Sequence, residues 1–174
     1  MGCQFKPEVL FENINVGDNL EVCLAKGSVQ HNTNDENIFE LRNNNIANTY
    51  FTNNEVKFDE KSTVKEINLK FHEGKNGKTA KEVFNFMTQY FCQRYEGMKT
   101  EKIDEIWEKF GFSWQKKGMQ NIWETNKIKF TLSFYTNDPI YKESELNPNK
   151  PNFISSMARE AYGGQWVQLK IIAK

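Results

Sequence analysis

Gly74-Lys75-Asn76-Gly77-Lys78-Thr79 comes nearest in this chain to a chemical motif. A phosphate-binding loop needs Gly-x-x-x-x-Gly-Lys-Thr. Successive backbone N–H groups then cradle the phosphates, the lysine reaches the outer ones and the threonine holds magnesium. Here His72 stands where the pattern wants its first glycine. No apolar strand ending in an aspartate follows to serve the metal, because Asp138 comes after Thr136-Asn137, beyond an alternating strand. A polar connection running into an N-capped helix accounts for the same residues. Segment 72–79 is thus the basis of an alternative function only, a cytoplasmic nucleotide-handling enzyme using Lys78 and Thr79.

Other reactive residue types are sparse. The histidines are His31, in an asparagine-rich stretch expected to be a loop, and His72. The three cysteines, Cys3, Cys23 and Cys92, have neither the number nor the spacing of a disulfide framework or a zinc site. Cys23 and Cys92 fall in helical apolar patterns and are expected to be small buried hydrophobes. A Cys92/His72 nucleophile pair is left open by residue type alone. Asp104/Glu105 and Glu143/Glu145 lie in charged surroundings that give no burial to raise a carboxyl pKa. The expectation is a protein without catalytic residues, cofactor or metal.

Aromatic residues offer a different chemistry, recognition. Trp114, Trp123, Tyr135 and Trp166 all fall on expected strands of the second half, and tryptophan and tyrosine dominate binding hot spots. If the strands form a sheet covered on one side, alternation sends some of these rings to the open side. Gln115, Thr131, Ser133 and Gln168 would supply hydrogen bonds beside them, and the loop over 138–152 could close over a ligand. The competing expectation is that at least half of these rings are core.

The elements that must position these residues follow from periodicity. Asp18 with Glu21 reads as the cap of a short helix stopped by Gly27, with Leu20, Cys23 and Leu24 facing inward. Strands are expected at 38–41, 46–51, 56–58 and 64–71, separated by asparagine-rich turns, with an irregular alternation in the last that suggests a bulge. Thr79-Ala80-Lys81-Glu82 is a capping box for a helix over 79–95, with Val83, Phe86, Met87, Tyr90 and Phe91 at helical spacing and Gly97 as the stop. Phe86 and Tyr90 are expected in the core. Ile103, Ile106, Trp107 and Phe110 suggest a second helix that Gly111 ends. Strands follow at 112–115, 122–125 and 128–135, with turns at Lys117-Gly118 and Asn126-Lys127. After a long loop and a short helix over 155–161, Val167, Leu169 and Ile171 make a closing strand.

This predicts an α+β fold, an antiparallel sheet with helices packed on one face. It is a single domain over 1–174, whose element order allows two tandem helix-plus-four-strand halves, 10–72 and 78–174, sharing one sheet. That order resembles the beta-lactamase inhibitor protein family, and Val16-Gly17-Asp18 before a short helix resembles the opening of the SmpA/OmlA-like envelope lipoproteins. The chain lacks the inhibitor family's paired disulfide cysteines. The resemblance implies a curved sheet used for binding partners.

With 23 basic and 23 acidic residues there is no net charge to draw the protein to nucleic acid or an anionic membrane. No apolar run approaches the roughly 20 residues of a transmembrane helix. Met1-Gly2-Cys3 leads directly into Gln4, Phe5, Lys6 and Pro7, so the given residues are not expected to act as a secretory leader. Gly2-Cys3 has the form of the end of a bacterial lipobox, which would make Cys3 a lipid attachment site. The myristoylation pattern fails at Lys6, and an ordinary chain start accounts for the same residues. The leading expectation is a non-enzymatic binding module of the cell envelope or periplasm whose partner is a protein or neutral ligand, attached to a membrane through an N-terminal lipid at most.

Overall fold

A computed structural model describes residues 14–32, 38–42, 45–46, 49–51, 53–72, 78–109, 112–140 and 163–174. The elements in chain order are α1 (Leu20–Ala25), β1 (Val29–His31), β2 (Phe39–Leu41), β3 (Asn45–Ile46), β4 (Thr49–Tyr50), β5 (Asn53–Phe58), β6 (Val64–His72), α2 (Ala80–Cys92), β7 (Lys99–Lys109), β8 (Phe112–Glu124), β9 (Ile128–Ile140) and β10 (Gly164–Ala173). Eight strands form one antiparallel sheet in the order β1-β2-β5-β6-β10-β9-β8-β7, and β3 and β4 pair separately. The fold is α+β with little helix. Each set of four sheet strands runs from an edge to the middle, where the last strand of each set, β6 or β10, meets the other in a seven-residue register from Trp166↔His72 to Ile172↔Glu66.

Strand alternation sets where the core lies. Ile67, Leu69 and Phe71 of β6, Phe130 and Leu132 of β9, and Val167, Leu169 and Ile171 of β10 are buried at every second position. Against them packs α2, entered through the capping box: Thr79 Oγ1 accepts from the Glu82 amide while Glu82 Oε2 accepts from the Thr79 amide at 2.8 Å. The buried stripe of α2 is Ala80, Val83, Phe84, Met87 and Phe91. The Phe91 ring lies 5.2 Å from Phe130 and 5.6 Å from Trp123.

Phe86 corrects an expectation. It sits one residue, about 100° of helix, off that stripe and is 45 % exposed, with the Lys78 ammonium 5.8 Å from its ring. Tyr90, on the same flank, is half-buried beneath the Arg94 guanidinium. In α1 the cap is Asn19, whose Oδ1 accepts from the Glu21 amide, because Asp18 instead accepts from the Asn15 amide. Cys23 is buried as expected, but Leu24 is exposed. Cys92, the last residue of α2, is also exposed, with its thiol 3.6 Å from the Met98 sulfur.

The largest correction concerns the helix expected from the spacing of Ile103, Ile106, Trp107 and Phe110: residues 99–109 are strand β7, with Ile106 68 % exposed. Eleven cross-strand pairs, from Lys99↔Ile122 to Lys109↔Phe112, tie it to β8. The ion pair Lys116–Glu105 and the stacked rings of Trp107 and Trp114 reinforce the hairpin. Pairing across the sheet overrides helical spacing in a segment that also contains β-branched Thr100, Ile103 and Ile106. Its charged composition suits an edge strand, which must avoid pairing with other chains. Lys117-Gly118 is no turn but the middle of the continuous β8, and His31 belongs to β1, its ring 4.4 Å from Phe39. β9 runs on to Ile140. Its Pro139 lies beyond the last residue paired to β10, Asn137↔Gly164, where a missing N–H is tolerated.

The irregular alternation of β6 is a bulge. Lys57 pairs with Glu66 and Phe58 with Val64, so Lys65 is the extra residue that lets both Val64 and Ile67 reach the core. Cys3, the Gly74–Gly77 part of the phosphate-loop-like segment, Phe110-Gly111, the expected helix over 155–161 and the loop over 141–152 lie outside the described residues.

Candidate binding face

In an antiparallel sheet, residues directly opposite one another project from the same side. Following the registers across the strands therefore maps each face. His72 pairs with Trp166, Trp166 with Tyr135, Tyr135 with Gly118 and Gly118 with Ile103, giving one continuous row over β6, β10, β9, β8 and β7. Tyr135 is five residues from Phe130, an odd number, so this row points away from the face on which α2 packs.

Two polar rows flank it. On one side Asn137, Lys116 and Glu105 are opposite one another; on the other stand Lys70, Gln168, Ser133, Gln120 and Glu101. Beyond the first of these lie Pro139, Trp114 and Trp107.

Local contacts fix the rings. Trp166 Nε1 donates to the Gly163 carbonyl at 3.2 Å, and His72 Nε2 is 3.3 Å from the same oxygen. The two rings lie 4.3 Å apart, and both residues are half-buried. Tyr135 is buried, with the Lys116 ammonium 4.5 Å from its ring centroid. Burial pushes its phenol up to about 12. Trp107 and Trp114 stack at 5.7 Å, Trp114 buried and Trp107 half-buried.

Three charges on this face form one cluster. Glu66 sits between Lys57 at 3.2 Å and Lys170 at 3.1 Å. Burial pushes its carboxyl up, but the hydrogen bonds and charges of Lys170 and Lys57 together outweigh that and hold it below its ordinary value. A carboxyl with a lowered folded pKa stabilises the fold above its unfolded pKa and loses that contribution as pH falls through the folded value. Acidifying below the ordinary glutamate value of 4.5 should therefore lower the melting temperature of the wild type more than that of Glu66→Gln. Equal slopes in a pH series of thermal melts would contradict this.

Of the four aromatic residues singled out by sequence, the structure brings Trp114, Tyr135 and Trp166 to one face. It separates Trp123, which is fully buried on the other face, stacked on Phe130 at 5.1 Å beside Phe91. Thr131, Ser133 and Gln168 share the face of Trp166; Gln115, opposite Ile106 and Asp138, does not. Sequence reasoning missed His72 and Trp107. His72 could have been found by carrying the alternation of β6 one residue past the buried Phe71. Trp107 was hidden by the helical spacing.

The phosphate-loop-like segment ends in a cap: the Thr79 hydroxyl donates to Glu82 Oε2 at 2.9 Å and accepts from the Glu82 amide, so it already serves the helix. Among the described residues no group of three or more histidine, cysteine, aspartate or glutamate side chains is placed to hold a metal ion, and no helix is long and apolar enough to cross a membrane. No protein-family model, curated protein or solved structure matches the chain.

Proposed function

We propose that the protein is a non-enzymatic binding module of the bacterial cell envelope that holds a protein or neutral ligand against the sheet face bearing Trp166, Tyr135 and Trp114. The observation that carries this is the continuous row His72–Trp166–Tyr135 between two polar rows, on a face opposite Phe130 and α2. In this reading both helices cover one face, because Cys23 of α1 joins the same apolar cluster as Val83 and Phe91 of α2. The chain is then two tandem helix-plus-four-strand halves joined at β6 and β10. Partly exposed tryptophan and histidine rings contribute contact area at little entropic cost, and the adjoining amides give directional hydrogen bonds. Envelope placement and lipid attachment at Cys3 rest on the lipobox form of Gly2-Cys3 and on the resemblance in element order.

Immobilised protein probed with arrays of peptides and uncharged oligosaccharides tests this reading. Any captured class should be lost in Trp166→Ala, which is expected to weaken binding tenfold or more, about 1.4 kcal/mol, with the thermal melt little changed. Binding that is indifferent to Trp166→Ala would place the ligand elsewhere and sink the proposal.

A further inference from the structure

We infer that the outer edge of β7 is the pairing site for a second copy of this chain, which joins it antiparallel about a two-fold axis at Glu105. The two edges of the eight-stranded sheet are unlike. β1 ends one side with three residues, whereas β7 ends the other with eleven, and among the described residues no strand lies beyond it. An edge strand turns half of its main-chain N–H and C=O groups outward, and natural proteins keep such edges short or cover them. Ile106, on this edge, is the most exposed large apolar residue among those described.

The order of charges along β7 says what covers it. A two-fold axis normal to the sheet sets each residue opposite one of the same face. With the axis at Glu105, Lys102 keeps its own Asp104 at 3.2 Å and stands opposite Glu108 of the second copy, both residues being exposed. The symmetry makes that pair twice. Asp104 stands opposite Ile106, which places the Ile106 residues of the two copies diagonally across the axis, within side-chain reach. On the other face Ile103 stands opposite Trp107. The like pair is Glu105 with itself, and in each copy the Lys116 ammonium lies 3.7 Å from that carboxylate.

Neighbouring registers are worse. Sliding the second copy by two residues one way sets Asp104 against Glu108. Sliding it the other way sets Asp104 against itself and Lys102 against Ile106, and two residues further Glu101 meets Glu105, cancelling the pairing of Lys102 with Asp104. A slide of one residue opposes residues of different faces. Charges along an edge turn away strands whose order does not match, and the same charges select the strand whose order does. The matching strand is β7 itself.

Sedimentation equilibrium of the whole chain tests the inference. Wild type is expected to be a dimer in reversible exchange with monomer. Lys102→Glu sets carboxylates opposite one another and Glu108→Lys sets ammonium groups opposite one another, so each variant alone should self-associate about tenfold more weakly or worse. An equimolar mixture of the two variants should regain the dimer, because each then meets the opposite charge at both positions. That rescue requires both variants to be folded. Wild type that stays monomeric up to its highest soluble concentration would overturn the inference. So would a dimer that neither substitution weakens, or a mixture no more associated than its components.

Discussion

Phe91→Ala is expected to lower the stability of this protein by about 3–5 kcal/mol, the range for removing a fully buried phenylalanine. Phe91 is completely inaccessible and lies among the rings of Tyr90, Tyr95, Trp123 and Phe130. Its loss would leave a cavity where α2 meets β8 and β9, and rings braced by so many neighbours cannot easily collapse into it. Phe86→Ala, five residues earlier on the same helix, should stay within about 1 kcal/mol of wild type, because that ring lies off the buried stripe. Urea melts of the two variants measure the contrast. Equal losses would mean that α2 packs on a different face from the one described.

Gly118→Ala should be the most damaging single-methyl change in the sheet, on the order of 3 kcal/mol. A Cβ at Gly118 would lie 2.7 Å from Tyr135 Cα and nearer still to the Phe134 carbonyl oxygen. Those are backbone atoms of the neighbouring strand, which cannot swing aside as a side chain can. β8 and β9 would have to separate at the middle of the sheet, directly opposite Tyr135. Water reaching that ring should bring its phenol down from about 12 toward the ordinary value of 10, which ultraviolet titration reads independently of the melt. A variant with wild-type stability and an unchanged high phenol pKa would show that the strands are not as closely apposed as described.

Local patterns carried much of this architecture. The capping box at Thr79 and Glu82, the strands around Leu69, Leu132 and Leu169, and the irregular alternation of β6 are each legible in a few consecutive residues. The errors arose where long-range pairing competes with a local signal. Ile103, Ile106 and Trp107 have helical spacing, yet eleven residues of β8 are available to pair with that segment, and pairing wins. Lys117-Gly118 has turn composition but is strand, the glycine being required by the closeness of β9. That second misreading also obscured the face proposed for binding. Trp114 and Trp123 are nine residues apart, and on one uninterrupted strand an odd separation sends them to opposite faces. Once β8 is continuous, the split of the aromatic group follows from arithmetic. No local signal announces that His72 and Trp166, far apart in sequence, share an oxygen of Gly163; that depends on how β6 and β10 meet.

The claim at the centre of this account is that a ligand sits on the face of Trp166 and not on the face of Trp123. The four tryptophan indole N–H resonances, assigned by single substitutions and followed by nuclear magnetic resonance as the peptide or uncharged oligosaccharide captured on the arrays is added, test it most directly. The account predicts that the Trp166 resonance shifts progressively and saturates, while that of Trp123, stacked on Phe130 beneath α2, stays in place. Shifts confined to Trp123, or no shift at Trp166 with the captured ligand, would contradict it.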